Sequence, residues 1–232
     1  AGDAILNWYS RRGATRAKHV VAQSPETETQ MRRYWRMVPA RIVPLGTESE
    51  FLAAPSTTHD PVRALLVGRT DLRKGQVAFL DGLDPDSDRY DLRIVGGMAD
   101  AAYDEPVTED WGDEYRGYLD DADLEAAYED ADVVVPSYLE NFSMVGLEAL
   151  AKGCVLVITA DCGLAQFDWA REENGVFVAR DREDAAQLLR QVSALSDLED
   201  YKRRAYELAS SLTWDKTARR YGEVYDYVSN SR

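Results

Sequence analysis

The stretch from Asp132 to Gly153, DVVVPSYLENFSMVGLEALAKG, places the tightest constraint on how this chain can fold. Its first five residues, 132–136, form a short apolar run rich in β-branched side chains that ends in proline, which is typical of a buried strand in a parallel sheet. A polar loop follows over residues 137–141, and the apolar spacing over residues 142–152 predicts a helix that the next glycine terminates. In a strand-loop-helix unit of this kind, the amides at the helix start face the carboxyl edge of the sheet, where an anionic ligand is favoured.

Apolar runs and helical spacings alternate along the rest of the chain as well. The predicted strands span residues 19–23, 41–45, 62–67, 90–95, 114–119, 132–136, 155–159 and 176–178. The predicted helices span residues 24–35, 76–83, 123–129, 142–152, 184–195, 198–212 and 214–228. An acidic segment, 100–113, replaces a helix expected there and has no assigned role. The alternation predicts an α/β fold, a parallel sheet with helices on both faces that binds ligands at the carboxyl ends of its strands.

The charge of the chain excludes some classes of partner. A net charge of −15 over 232 residues repels nucleic acid and acidic membranes unless a local basic patch overrides it, so no nucleic-acid partner is predicted. The acidic residues form surface-like clusters, which is typical of halophilic proteins. Stability that rises in molar salt would support a halophilic source, and full stability in dilute buffer would count against it.

The sequence also predicts a localisation. No apolar run is long enough to span a membrane, and the N-terminal residues lack the pattern of a signal peptide, so we expect a cytoplasmic protein. Cys154 and Cys162 stand at the two ends of a predicted extended segment, too far apart to bridge, and are predicted to be free thiols. His19 and His59 are isolated and are expected to be structural. Because no His, Cys and carboxylate cluster is evident, we predict neither a metal nor a cofactor.

Two acidic residues, Glu140 and Glu148, frame the start of the helix predicted over residues 142–152. Their backbones would lie up to roughly 12 Å apart if both were helical. Glycosidase pairs need carboxyl groups about 5 to 9.5 Å apart, so the spacing argues against such a pair, although side-chain reach leaves that alternative open. A long ligand with hydroxyl groups at both ends and phosphate between them fits better. A nucleotide sugar has that layout.

A second candidate site follows the predicted strand 62–67. Gly68 stands at the carboxyl end of that strand, and Arg69, Arg73 and Lys74 precede the next helix. This arrangement suits a diphosphate. Ordinary loop cations on a charged surface are the alternative, and we prefer it for Arg73.

These features together resemble the family 4, or group 1, retaining nucleotide-sugar glycosyltransferases, which have the two-domain GT-B architecture. The resemblance rests on Pro136-Ser137, on Glu140-Asn141-Phe142-Ser143 and on the run from Glu148 to Gly153, with seven residues between the two glutamates. The family usually has glycine at the positions of Asn141 and Ser143. Gly96-Gly97 resembles the family's turn beneath the nucleotide, and the end of the predicted strand 114–119 resembles the segment that lies against the base.

The resemblance implies transfer of a sugar from a nucleoside diphosphate to an acceptor, with retention at the anomeric carbon. It gives catalytic roles to Arg69 and Lys74 at the donor diphosphate and to Glu140 at the donor sugar. Glu148 would bind the nucleotide ribose, and the amides of residues 142–145 the distal phosphate. The implied donor-binding residues are Gly68, Gly96, Tyr118, Asn141, Phe142, Ser143, Met144, Val145 and Glu148.

The resemblance covers nearly the whole chain but only the nucleotide-binding, Rossmann-like half of a GT-B enzyme. We predict a linker or remnant of a preceding domain over residues 1–18, a nucleotide-sugar-binding domain over residues 19–212, and a helix over residues 213–232 that crosses to a missing N-terminal acceptor domain. The chain is therefore expected to be a fragment, or to have its other half on a separate polypeptide. The aromatic stripe of the last helix either docks on that half or packs in the core.

The expected partners are a UDP- or GDP-linked sugar and an acceptor that the residues do not name, for which a lipid-linked molecule and a glycan are both compatible. Through the missing domain the enzyme could sit peripherally at a membrane. Two other functions remain open. One is a nucleotide-sugar binding module without activity on its own. The other is a GT-B nucleotide-sugar epimerase, which the lack of a catalytic His or Asp at the strand ends argues against.

Overall fold

A six-stranded parallel sheet organises the chain in the computed structural model, which describes residues 17, 19–39, 41–70, 74–98, 107, 109–136 and 140–230. Its strands are β3 (Val62–Val67), β4 (Tyr90–Val95), β5 (Tyr115–Gly117), β6 (Val133–Val135), β7 (Val155–Thr159) and β8 (Val176–Ala179). Strands β1 (Val21–Ala22) and β2 (Arg41–Ile42) form a separate parallel pair. The predicted parallel α/β architecture is confirmed.

Seven α-helices surround these strands within the described residues: α1 (Pro25–Gln30), α2 (Gln76–Leu80), α3 (Asp121–Glu129), α4 (Met144–Ala151), α5 (Arg182–Val192), α6 (Leu198–Ala209) and α7 (Trp214–Asn230). Helix α1 starts as predicted, with the Ser24 side chain accepting a hydrogen bond from the Thr27 amide at 3.1 Å, and it continues as a π-helical turn over Met31–Trp35. No helix in the described ranges combines the length and apolar character that crossing a bilayer requires.

The strand order, β5-β4-β3-β6-β7-β8, fixes where a ligand can bind. The chain moves outward from β3 through β4 to β5, and then returns to the other side of β3 with β6. Strands β3 and β6 are neighbours in register, with Leu65 opposite Val134 and Leu66 opposite Val135. The carboxyl ends of β3 and β6 therefore form the topological switch point, where open α/β sheets bind their ligands.

Apolar layers cover both faces of the sheet because its central strands are apolar at almost every position. All three residues of β6 are fully buried. In β3, Ala64 and Leu66 contribute to one layer, which α2 and α5 cover, while Leu65 and Val67 contribute to the other, which α3, α4 and α6 cover. Burial on two faces explains why these strands have continuous apolar runs in place of an alternating pattern.

The acidic segment 100–113 is helical over part of its described residues, which corrects the prediction that acidic residues simply replace a helix there. Val107, Glu109 and Asp110 are helical, and the side chains of Val107 and Trp111 are buried in the core. Residues 99–106 and 108 lie outside the described part. These two buried side chains therefore anchor the described end of the segment to the core.

Helix α7 packs on the β1–β2 pair. The Thr217 hydroxyl donates to the Pro44 carbonyl at 3.0 Å, and Thr213 bridges to Thr47. Tyr225 and Tyr227 are 69% and 56% exposed, so the core-packing interpretation of the aromatic stripe is wrong for these two residues. That the helix crosses to another domain remains a prediction.

A buried polar cluster lies at the amino end of the sheet, opposite the switch point. Lys202 of α6 and Asp132, both fully buried, form an ion pair of 2.6 Å, and Lys202 also donates to the Ser56 hydroxyl at 3.1 Å. Asp132 further accepts from the Arg63 amide at 2.9 Å and lies 3.0 Å from Nδ1 of His59. His59 is thus structural, as predicted, and the cluster ties α6 to β3 and β6.

Cys154 and Cys162 are free and buried, in agreement with the prediction. Burial raises the pKa of Cys154 to about 12 and that of Cys162 to about 11. Both thiols are therefore protonated at neutral pH.

Candidate functional site

An ion pair between Lys74 and Glu140 joins two loops at the switch point. Lys74 lies on the loop after β3 and donates from Nζ to Oε1 of Glu140, which lies on the loop after β6. The two side chains are only 17% and 29% exposed. The structure thus brings together two of the three residues predicted to be catalytic. The third, Arg69, lies on the same loop as Lys74 and is exposed.

The loops that follow β3, β4 and β5 form a floor of main-chain atoms beside this ion pair. The Gly96 amide donates to the Gly117 carbonyl at 2.9 Å, and a Cβ atom on Gly96 would overlap the Gly68 carbonyl. Two of the predicted donor-binding glycines, Gly68 and Gly96, are therefore in contact through their backbones. The Tyr115 hydroxyl donates to the Gly96 carbonyl at 2.6 Å, and Tyr118 follows β5 with 79% of its surface exposed.

The loop after β6 rests on the turn after β7. The Gly163 amide donates to the Glu140 carbonyl at 2.8 Å, and a Cβ atom on Gly163 would overlap the carbonyl of Asn141. Only glycine allows this approach, and it sets the position of Glu140. Arg73 and Ser137, which the sequence singled out on these loops, lie outside the described residues.

Helix α4 begins directly after this loop. The Ser143 side chain caps it by accepting from the Gly146 amide at 3.1 Å. Phe142 and Ser143 are buried, Met144 and Val145 are half-buried, and the Phe142 ring contacts the Phe167 ring edge to face at 6.1 Å. The residues predicted to bind the distal phosphate thus form the rigid first turn of α4, whose amino end carries a partial positive charge.

Glu148 lies farther along α4 and has its own partner. The buried Tyr128 hydroxyl donates to Oε2 of Glu148 at 3.1 Å. Burial raises the pKa of Glu148 above its ordinary value, Asp121 raises it further, and the hydrogen bond from Tyr128 opposes both. Burial and the neighbouring Glu148 also raise the pKa of Tyr128. Tyr128 therefore stays protonated and fixes the orientation of the carboxylate.

Two buried side chains that sequence reasoning missed hold the site loops in place. Gln76 donates from Nε2 to the Arg69 carbonyl at 2.7 Å. Nη2 of Arg182, the first residue of α5, donates to the Lys74 carbonyl at 2.6 Å and to the Pro136 carbonyl at 3.1 Å. Arg182 lies in the charged run RDRED, which is typical of an exposed helix start, so the sequence contains no signal for its burial.

A cavity of about 350 Å³ opens between α1, the loop after β6 and the turn after β7. Among the described residues it is lined by Glu26, Gln30, Glu140, Asn141, Asp161 and Gln166. Gln166 donates to Oε2 of Glu26 at 3.2 Å, and Gln30 donates to Oδ1 of Asn141 at 3.5 Å. Over all the residues that the structure describes, no group of three or more His, Cys, Asp or Glu residues is arranged to hold a metal ion.

Comparison with known proteins gives a consistent result. A family model described as "Family 4 Glycosyltransferase in conflict systems" matches residues 7–221. An uncharacterized glycosyltransferase from Methanocaldococcus jannaschii is 31% identical over 128 residues, which cover 51% of this chain and 32% of that protein. The sucrose-phosphate synthase of Thermosynechococcus elongatus matches 97% of this chain and 62% of its own, with a TM-score of 0.76 and 25% identity. Anabaena HepE, solved in complex with UDP and glucose, matches 96% of this chain and 66% of its own, with a TM-score of 0.74 and 14% identity.

The chain spans about a third of the length of the curated relative and less than two thirds of that of the synthase. The likeness to HepE is one of fold, and it agrees with the GT-B architecture that the two loops implied. The family match covers most of the chain, including both loops of the site, and it confirms the resemblance. The chain belongs to the family 4 glycosyltransferases of conflict systems.

Proposed function

We propose that this chain binds a nucleoside diphosphate sugar at the switch point between β3 and β6, as the donor-binding half of a retaining glycosyltransferase. The Lys74–Glu140 ion pair carries the proposal, because it sets a cation and a carboxylate side by side at the start of α4. A nucleotide sugar has the matching chemistry, with phosphate oxygens for the cation and sugar hydroxyls for the carboxylate.

The protein's contribution to the reaction would be electrostatic. As the bond between the sugar and the diphosphate breaks, negative charge grows on the leaving diphosphate. Lys74, Arg69 and the amides of the first turn of α4 stabilise that charge. The ion pair with Glu140 holds Lys74 in the site. When phosphate oxygens replace Glu140 as the partner of Lys74, Glu140 becomes available to accept hydrogen bonds from the sugar.

The remaining predicted residues fit the other end of the ligand. Glu148, oriented by Tyr128, binds the ribose hydroxyls. The glycine floor of Gly68 and Gly96 lets the nucleotide approach the main chain, and the backbone near Tyr118 lies against the base. Structures of Anabaena HepE contain UDP and UDP-glucose, which supports a donor of this kind.

The proposal extends to the whole protein. Residues 19–212 form the donor domain, and the C-terminal segment 213–232, which contains helix α7, crosses to an N-terminal domain that binds a glycan or lipid-linked acceptor, at a membrane surface or away from one. Retention is tested by determining the anomeric configuration of the first product formed when this chain is combined with an acceptor half.

Titration calorimetry in high salt tests donor binding, using UDP, GDP and ADP, each alone and as its glucose or mannose conjugate. Replacing a phosphate-binding Arg removes a charge-assisted hydrogen bond, so Arg69→Ala is expected to weaken binding by about tenfold or more. Glu148→Ala should also weaken it. Arg203→Ala serves as the matched control, because Arg203 is exposed on α6 and pairs with Asp200 and Glu207. Tight binding that neither site variant changes would move the site elsewhere, and no binding to any nucleotide would refute the proposal.

The raised pKa of Glu148 predicts a pH dependence for donor binding. A carboxylate whose pKa is raised takes up its proton at a higher pH than usual, and a protonated Glu148 loses acceptor capacity for the ribose. Donor affinity should therefore fall on acidification, starting above the pH range in which an ordinary glutamate titrates. The measurement is the dissociation constant of the nucleotide sugar as a function of pH, because a nucleotide sugar has no terminal phosphate whose titration would interfere.

Two variants control this pH experiment. Glu148→Gln should bind more weakly but lose the pH dependence. Tyr128→Phe removes the hydrogen bond that lowers the pKa of Glu148, so the affinity loss should move to a still higher pH. If the wild type and Glu148→Gln lose affinity in parallel, another group is responsible.

A further inference from the structure

The cavity beside α1 and the loop after β6 contains carboxylates from three separate parts of the chain. Glu26 comes from α1, Glu140 from the loop after β6, and Asp161 from the turn after β7. We infer that this cavity selects a donor sugar without negative charge, neutral or amino-bearing, and that Glu26 is a specificity-determining residue for it. The inference rests on the proposed donor-binding function.

The position of the cavity identifies it as the sugar side of the site. Glu140 and Asn141 line it, and Glu140 is at the same time the partner of Lys74. A ligand whose diphosphate lies at Lys74 and α4 therefore directs its sugar into this space. The volume of about 350 Å³ is at the lower end of the range of roughly 300–1,000 Å³ for small-molecule pockets, which suits one sugar ring.

The charge of the lining determines which sugars are accepted. Of the six lining residues, three are acidic and three are neutral amides. Lys74 pairs with one of the acids, and under the proposed function it turns to the diphosphate when donor binds. The carboxylate of a uronic acid would face the Glu26 carboxylate, with no cation among the described lining residues, and like charges placed together disfavour binding strongly. Hydroxyl and ammonium groups, in contrast, donate to carboxylates.

Two glutamine side chains orient the carboxylate of Glu26. Gln30 donates to its Oε1 at 2.9 Å and Gln166 donates to its Oε2 at 3.2 Å. A carboxylate has about four acceptor positions, so two amides orient the group and leave capacity for sugar hydroxyls. Both of these partners are neutral amides, and among the described residues no cation forms an ion pair with Glu26.

The test compares binding of UDP, UDP-glucose, UDP-glucosamine and UDP-glucuronic acid to the wild type, Glu26→Gln and Glu28→Gln. If the chain binds GDP in preference to UDP, GDP-mannose replaces UDP-glucose and GDP-mannuronic acid replaces UDP-glucuronic acid. Glu28→Gln is the matched control, because Glu28 is on the same helix, pairs with the exposed Arg32, and does not line the cavity. Thermal melts establish that both variants are folded.

In the wild type, UDP-glucuronic acid should bind at least about tenfold more weakly than UDP-glucose. Glu26→Gln should reduce this ratio by about threefold or more and reduce the preference for the amino sugar, whereas Glu28→Gln should change neither. The inference is overturned if UDP binds but UDP-glucose and UDP-glucuronic acid have equal affinities, or if Glu26→Gln leaves the ratio of these two affinities unchanged. Either result leaves the proposed function standing. Failure of every nucleotide to bind overturns both.

Discussion

Lys202→Met is expected to destabilise the chain by about 3–5 kcal/mol, because it leaves the carboxylate of Asp132 buried without its cation. Both members of this pair are fully buried, and their atoms lie 2.6 Å apart. For a chain of this size about 2–4 °C of melting temperature corresponds to each kcal/mol, so Tm should fall by roughly 6–20 °C. The measurement is a thermal melt with a urea titration.

Lys216→Met is the control, since Lys216 is exposed and, among the described residues, donates only to the Ser210 carbonyl, at 2.8 Å. It should change Tm little. The double variant Lys202→Met with Asp132→Asn removes the uncompensated charge and should recover part of the loss. Equal melting temperatures for Lys202→Met and Lys216→Met would show that the buried pair does not stabilise the fold.

Gly163→Ala is expected to abolish or strongly weaken donor binding, by about tenfold or more, while costing about 1–3 kcal/mol of stability. The new methyl group would occupy the space of the Asn141 carbonyl, and the Gly163 amide is bonded to the Glu140 carbonyl at 2.8 Å. The loop that bears Glu140 must therefore move away from Lys74. Calorimetry with the best nucleotide sugar measures the loss of affinity.

Gly222→Ala is the matched control for this substitution. Gly222 lies within α7, and a Cβ atom there would have no described atom within 4 Å apart from its own helix backbone and chain neighbours. In a helix interior this change should raise stability by up to about 1 kcal/mol and leave binding unchanged. If Gly163→Ala bound donor as tightly as Gly222→Ala, the contact between the two loops would not matter for the site.

Much of the fold follows from the sequence, because strands that are buried on both faces of the sheet have continuous apolar runs that are easily recognised. Strands β3, β4 and β7 span the predicted residues without a shift. Strand β6 is shorter than predicted, at Val133–Val135, because Asp132 belongs to the buried polar cluster. Helix α5 begins two residues before its predicted start, because Asp181 caps it by accepting from the Asp184 amide, and the charged residues between these two have no apolar spacing.

The candidate site, like the fold, could be predicted only in part from the sequence. Its two loops could be predicted because each follows an apolar strand and precedes a helix, a local pattern. The partners of the site residues could not, because they are distant in sequence: Tyr128 for Glu148, Arg182 for Lys74, and Gly163 for Asn141. Lys202 shows the same limit, since a lysine on an amphipathic helix is normally exposed and only the tertiary structure buries it against Asp132.

Arg182 makes the lengths of two loops depend on each other. One guanidinium nitrogen bonds to the Lys74 carbonyl after β3 and to the Pro136 carbonyl after β6. An insertion or deletion that displaced either carbonyl would break one of the two bonds through which Arg182 links the loops, although the loops belong to different strands. Over evolutionary time, changes of length in one loop should therefore be accompanied by changes in the other or by replacement of Arg182, whereas surface loops away from this residue are free to vary independently.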